Sequence, residues 1–188
     1  MIADATNHDE SNYLNATSGF KSWFWSVDHK RLGIMYLATI LSFFLIGGTF
    51  ALLVRYELLD AAPTFSASNY NKAFTLHGAI MVFLVLVPAI PASLGNFLIP
   101  LMIGADDMAF PTLNMLSYWF MWPAFIAFGA SFFVEGGAAS SGWTSYPTLA
   151  TNVNSSPGAG WGQTLWLIGL TFVGVSSMLG SVNYMTTI

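Results

Sequence analysis

The 188-residue chain is 55% hydrophobic and 7% charged, with a net charge of −4 and a mean hydropathy of +0.61. A soluble domain carries about 25% charged residues, so this composition is that of an integral membrane protein. Five Lys and Arg form no basic patch and exclude nucleic acid as a partner, and the lack of cysteine excludes disulfides, iron–sulfur clusters and thiolate zinc sites.

The first twenty residues begin "MIADATNHDESNYLNATSG", which is polar and acidic. That is neither the basic start of a signal peptide nor an Arg-rich transit peptide. Residues 1–20 are expected to be a flexible tail, and 21–188 one membrane domain. A spanning helix needs roughly 20 apolar residues, and four segments meet this. The first, about 32–54, holds no charge. The second, about 73–103, holds His77 as its only titratable group, and Pro88, Pro91 and Pro100 should kink it. The third is about 112–134 and the fourth about 161–187. The fold class is therefore all-α, with four transmembrane helices.

The connections differ in character. Residues 55–72 form a short polar loop, and 104–111 a tight turn with Asp106 and Asp107. Residues 135–160 are long, rich in Gly, Ser, Pro and Asn, and carry Trp143 and Tyr146. A loop of that kind is expected to pack on the membrane surface. Lys21, Lys30 and Arg31 precede the first helix, while Arg55 and Lys72 follow it. The positive-inside rule places the N-terminus in the cytoplasm by this margin. The lack of a transit peptide favours a bacterial plasma membrane over a mitochondrial inner membrane.

Counting at 1.5 Å per residue puts Arg55 and His77 near the outer side. Asn96 falls about 28 Å further on, near the inner side, and about 100° around the helix from His77. Asp107, Asn114 and Asn183 join it there. Ser176, one heptad before Asn183, and its neighbour Ser177 continue inward. Polar side chains at membrane depth usually face a bundle interior or a cavity. This set reads as a hydrated inlet on the inner side. Taken singly, each residue has a plainer reading. His77 suits a buried hydrogen-bond donor, the asparagines suit helix caps, the serines suit bonds to their own backbone, and Arg55 suits an interfacial anchor.

The motifs "WFWSVDHKRLG", "HGAIMVFLVLVPA", "GNFLIPLMIGADDMAFPTLNMLSYW", "GWTSYPTL" and "SSMLGSVNYMTT" follow one another in that order. Together they resemble the N-terminal part of subunit I of the haem–copper respiratory oxidases, most like cytochrome c oxidase. The resemblance covers nearly all of the chain after the tail, and "DMAFPTLNMLSYW" is its most specific part. It implies a twelve-helix bundle of which these four helices are the first, as a truncated or split subunit. It implies an enzyme that reduces oxygen to water and pumps protons. On it, His77 matches an axial ligand of the low-spin haem iron, with haem A the nearer type, and Arg55 matches the residue that contacts a haem substituent. Asp107 matches the mouth of the proton-uptake path of the D type. Asn96, Asn114 and Asn183 match the asparagines above that mouth, and Ser176 and Ser177 match serines that hold water beyond them. Glu57 matches a loop residue that in some members helps hold calcium or sodium.

The resemblance also sets what this chain does not carry. The ligands of the high-spin haem and copper belong to later helices, so the expected partners are the remainder of subunit I and subunits II and III. Cytochrome c or quinol would be the electron donor, and the lipid bilayer the solvent. Three positions depart from the family pattern: Met115 replaces a second asparagine, Thr112 a common basic residue, and Asp106 a common proline. The last two make the inlet more negative and are expected to favour proton capture. The alternative reading is a non-catalytic fragment, or a haem-free proton-conducting or transport protein.

Overall fold

The computed structural model describes residues 12–14 and 19–188, and among them the secondary structure is helical, with no strand. Six helices are used as landmarks. A short α1 spans Phe20–Phe24. The four long helices are α2, His29–Glu57, α3, Ala67–Ile103, α4, Pro111–Ala130, and α6, Trp161–Thr187; α5 is a single turn at Pro147–Thr151. All four long helices are long and apolar enough to cross a membrane.

Polar residues extend the helices beyond the apolar runs. Asp28 caps α2, its carboxylate accepting the Arg31 N–H at 2.9 Å, which satisfies a donor that the first turn leaves open. The helix therefore starts three residues before the expected position. Ser66 caps α3 in the same way through the Asn69 N–H. This adds the hydrophilic turn 67–72 to the expected span, because a capped turn in water needs no apolar face. α4 opens on Pro111, whose missing N–H costs nothing at the first helical position, and continues through one 3₁₀ turn, Ser131–Phe133.

α3 is not a regular helix. Ile80–Leu86 and Ala89–Gly95 are π-helical. Pro88 and Pro91 lie between and within these stretches, where each removes an N–H and crowds the carbonyl four residues earlier. A wider turn relieves that crowding, so the proline signal appears as two π stretches. Each residue in a wide turn rotates by less than 100°, so the regular-helix angle between His77 and Asn96 does not hold. The two still serve different neighbours: His77 bonds to α2, and Asn96 to α4. α6 braces the second wide stretch, the Tyr184 hydroxyl donating to the Pro91 carbonyl.

Two ends of the bundle can be told apart. At one, the end of α2 and the start of α3 meet the segment 131–160: the Gly142 N–H donates to Thr75 Oγ1 of α3 at 2.9 Å, and Phe50 of α2 stacks on Phe132 at 6.0 Å. At the other lie His29, the Asp107 turn and Thr187, which accepts the Ala109 N–H at 3.0 Å. The core between them comes from Leu32, Tyr36, Ile40 and Phe43 of α2, Leu76, Ile80 and Leu84 of α3, Tyr118, Met121 and Phe128 of α4, and Trp166 and Val173 of α6.

The 135–160 segment folds back onto the helices. The backbone of Gly162 lies so close to Gly137 that an added Cβ would stand 2.0 Å from the Gly137 oxygen. Most of the tail expected over 1–20 lies outside the described residues. Of the part described, Tyr13 is tied to α2: its carbonyl accepts from Arg31 Nε, and its ring lies 5.6 Å from the Lys30 ammonium. α1 packs on α4, with Phe24 and Trp119 ring centres 4.1 Å apart.

Candidate functional site

Residues Asn114, Ser117, Tyr118 and Met121 of α4 recur at helical spacing and are all buried. They form a polar-to-apolar stripe facing α2, α3 and α6. Asn114 Nδ2 donates to Asn96 Oδ1 at 2.6 Å, and Asn96 Nδ2 donates to the Ala92 carbonyl at 2.5 Å. One turn along, Ser117 Oγ donates to the Asn114 carbonyl at 2.8 Å. That uses the only Ser117 hydroxyl proton, so the Tyr36 hydroxyl, 2.8 Å away, donates to Ser117. Ser176 Oγ donates to the Ser117 carbonyl at 2.6 Å. Four helices thus contribute to one hydrogen-bonded seam.

Beside the seam lies a cavity of about 80 Å³, bordered by Tyr36, Asn96, Ser117, Ser176, Ser177 and Tyr184 among apolar neighbours. At about 30 Å³ per molecule in the liquid, it has room for two or three waters next to polar partners. Ser176 is buried and Ser177 lines the more open side. Tyr36 and Ser117 were not singled out by sequence reasoning. Ser117 could have been found, because it stands three residues from Asn114 on the same helical face. Tyr36 sits in an apolar helix, and only its neighbours give its hydroxyl a role.

The turn that leads into α4 carries Asp107, seven residues before Asn114. Asp107 Oδ1 accepts the Met108 N–H at 2.7 Å and lies 2.9 Å from His29 Nδ1, whose ring N–H donates to it. The pair is asymmetric: the His29 side chain is 3% exposed and that of Asp107 37%. One partner is fixed in protein and the other meets solvent. His29 Nε2 is buried and has no hydrogen-bond partner among the described residues. His29 lies within the "WFWSVDHKRLG" motif, yet sequence reasoning gave it no role. It becomes visible only when the first turn of α2 is placed against the turn before α4. Asn183 is fully buried; its Oδ1 accepts the Phe110 N–H at 2.8 Å, which braces the same turn, while Nδ2 has no partner among the described residues. It is not bonded to the Asn96–Asn114 pair. Asp106 and Thr112 are exposed beside this mouth, and Met115 packs against the core.

His77 occupies the other end. Its Nδ1 lies 2.9 Å from the Gly47 carbonyl oxygen. A carbonyl carries no proton, so Nδ1 must, and the neutral ring then presents its lone pair at Nε2. Nε2 makes no hydrogen bond among the described residues. An imidazole fixed by one nitrogen and open at the other is the usual state of a metal-ligating histidine. Gly47 makes the approach feasible, since a Cβ there would meet the Met81 sulfur at 2.9 Å. The donor chemistry fits one axial ligand of a haem iron. Trp143 of the long loop packs on Gly78 and lies edge-on to Phe83, with ring centres 6.0 Å apart, which puts an indole next to His77 in the chain. Tyr146 stays exposed.

Arg55 is exposed and no contact joins it to His77. It lies eight residues beyond Gly47 on α2, about 12 Å along the helix. Glu57 Oε2 accepts the N–H groups of Thr64 and Phe65 at 3.2 and 2.9 Å, which ties the α2–α3 loop. Among the described residues no three His, Cys, Asp or Glu side chains form a group that could hold a metal ion.

Comparison with known proteins gives the family of the chain. The family model for Cytochrome C and Quinol oxidase polypeptide I matches residues 31–188. The chain is 50% identical over 163 residues to cytochrome c oxidase subunit 1 of Synechocystis sp., covering 86% of this chain and 28% of that protein. It is 47% identical over 175 residues to the Thermostichus vulcanus protein of the same name, covering 89% and 30%. A probable cytochrome c oxidase subunit 1-alpha of Streptomyces avermitilis is 44% identical over 168 residues, covering 88% and 28%. The chain thus spans under a third of the length of these relatives. A family match over most of the chain, on a bundle of four apolar helices, places this protein in the cytochrome c and quinol oxidase polypeptide I family.

Proposed function

We propose that this chain works as part of a terminal respiratory oxidase that reduces oxygen to water and moves protons across the membrane. Within it, the chain holds one side of a low-spin haem, of type A on the resemblance, and forms the inlet of the proton-uptake path. The high-spin haem and copper are held by the rest of the subunit. Subunits II and III and an electron donor, cytochrome c or quinol, complete the assembly, with the N-terminus on the cytoplasmic face of a bacterial plasma membrane.

His77 would hold the haem through Nε2, with the Gly47 carbonyl orienting the ring through Nδ1. When bound, the haem would supply one-electron transfer. Arg55 would supply a cation to a polar substituent of the haem, and Trp143 packs on Gly78 of the helix that carries His77.

The inlet works without titrating groups along its length. Asp107, held by His29 and the Met108 N–H, collects a proton from the inner aqueous phase. Amide and hydroxyl side chains do not ionise at neutral pH, so Asn96, Asn114, Ser117 and Tyr36 act by orienting water, and Ser176 and Ser177 extend that wall. Asn183 holds the turn that carries Asp107. A proton crosses such a segment by exchange along hydrogen-bonded water.

The observation that carries this reading is the buried Asn96–Asn114–Ser117–Tyr36 seam beside a cavity, with the Asp107 carboxylate, 37% exposed, in the turn that leads into the same helix α4. Replacing Asp107 by Asn in the assembled oxidase should slow steady-state turnover by about a hundredfold, the low end for a positioned proton-transfer group. Haem content should stay unchanged. Undiminished proton uptake from the inner side in that variant would refute the inlet.

A further inference from the structure

Lys72, on the second turn of α3, makes no hydrogen bond or ion pair among the described residues. Its ammonium is set down over the backbone of Gly137, which has a φ of +74°, and a Cβ there would lie 2.5 Å from Nζ. The side chain lines a cleft of about 310 Å³ whose other walls include Phe50, Leu53 and Phe132. Phe50 and Phe132 stack with their planes 5° apart. The next residue, Phe133, is 91% exposed. The cleft joins the last turns of α2, the first turns of α3 and the end of α4, which is the depth of a membrane–water boundary on the His77 side.

Lys72 is half-buried beside apolar walls, and no protein anion stands against its ammonium among the described residues, so the charge is open to an outside partner. An anion completes it, and the walls require that anion to carry hydrocarbon. We propose that this cleft binds a phospholipid, its phosphate on the Lys72 ammonium and one acyl chain along Leu53, Phe132 and Phe133. A free phosphate would satisfy the charge and leave the aromatic walls facing water. A phospholipid satisfies both, and lysine stems at this depth reach toward headgroups while lying on apolar surface.

The test uses the assembled oxidase, purified in mild detergent and examined by native mass spectrometry after reconstitution with phosphatidylglycerol. The wild type should retain one more phospholipid than Lys72→Gln, whose occupancy should fall about fivefold, the size expected for one lysine at a lipid surface. Lys72→Arg should keep the lipid. Millimolar inorganic phosphate should leave it bound; complete displacement by phosphate would show an anion site only and overturn the proposal. Equal retention in Lys72→Gln would overturn it as well. In parallel, a photo-crosslinking residue at Phe132 in the otherwise wild-type complex should form a phospholipid adduct. Adducts to polypeptide alone would show that another protein segment fills the cleft, and this readout decides even where Lys72→Gln does not assemble.

Discussion

Two imidazoles in this chain are oriented by oxygen acceptors of different kinds, and that difference sets what each can do. His77 donates its Nδ1 N–H to a backbone carbonyl and leaves Nε2 without a hydrogen-bond partner among the described residues. His29 faces a carboxylate, so its bond holds an anion in place at the mouth of the seam. Removing that hold while keeping a polar side chain, as in His29→Gln, should slow proton uptake by a few-fold, well short of the effect of Asp107→Asn; stopped-flow pH-indicator measurements read both. Inside the seam the stakes are structural as well. Asn114→Ala leaves Asn96 Oδ1 buried without its donor, which should destabilise the protein by about 1–3 kcal/mol and lower the melting temperature of the complex. Depth along each helix was legible in the sequence, and depth alone grouped Asn96, Asn114 and Asn183; the first two bond to each other, while Asn183 accepts the Phe110 N–H instead. Tyr36 and His29 were not legible, because their partners come from other helices and no local pattern marks a contact across some 80 residues; Ser117 carried a local mark, three residues from Asn114 on one helical face.

At the scale of elements, the four spanning helices follow from apolar length, while their ends follow from caps. Asp28 and Ser66 each add a polar turn that hydropathy cannot register. The shape of α3 follows from its prolines, but the sequence marks only where the helix must yield, and the neighbouring helices select a widened turn over a sharp bend. The long loop is specified by close backbone approach. Gly162→Ala would drive a methyl group to within 2.0 Å of the Gly137 oxygen. Backbone cannot yield as a flexible side chain can, so overpacking of about 1–3 kcal/mol should appear as a lower melting temperature and a reduced yield of assembled complex. Loop composition marked an irregular segment, and the structure adds that it packs on the helices. It gave no hint that Trp143 would lie on the ligand helix, since that depends on the bond between Gly142 and Thr75.

For the whole molecule, the His77 end and the Asp107 end lie at opposite ends of the bundle, as an electron-side and a proton-side function require. The proposed orientation is testable because the chain contains no cysteine. Single cysteines at exposed Asp106→Cys and Asn154→Cys should react with a membrane-impermeant maleimide from opposite sides, Asp106→Cys from the cytoplasmic side. The haem assignment has the most direct test of all, the reduced-minus-oxidised spectrum of the assembled oxidase carrying His77→Ala, beside wild type and Asp107→Asn. The low-spin haem band should be lost in His77→Ala and kept in Asp107→Asn; a low-spin band of wild-type position and intensity in His77→Ala would contradict the assignment of His77 as its ligand.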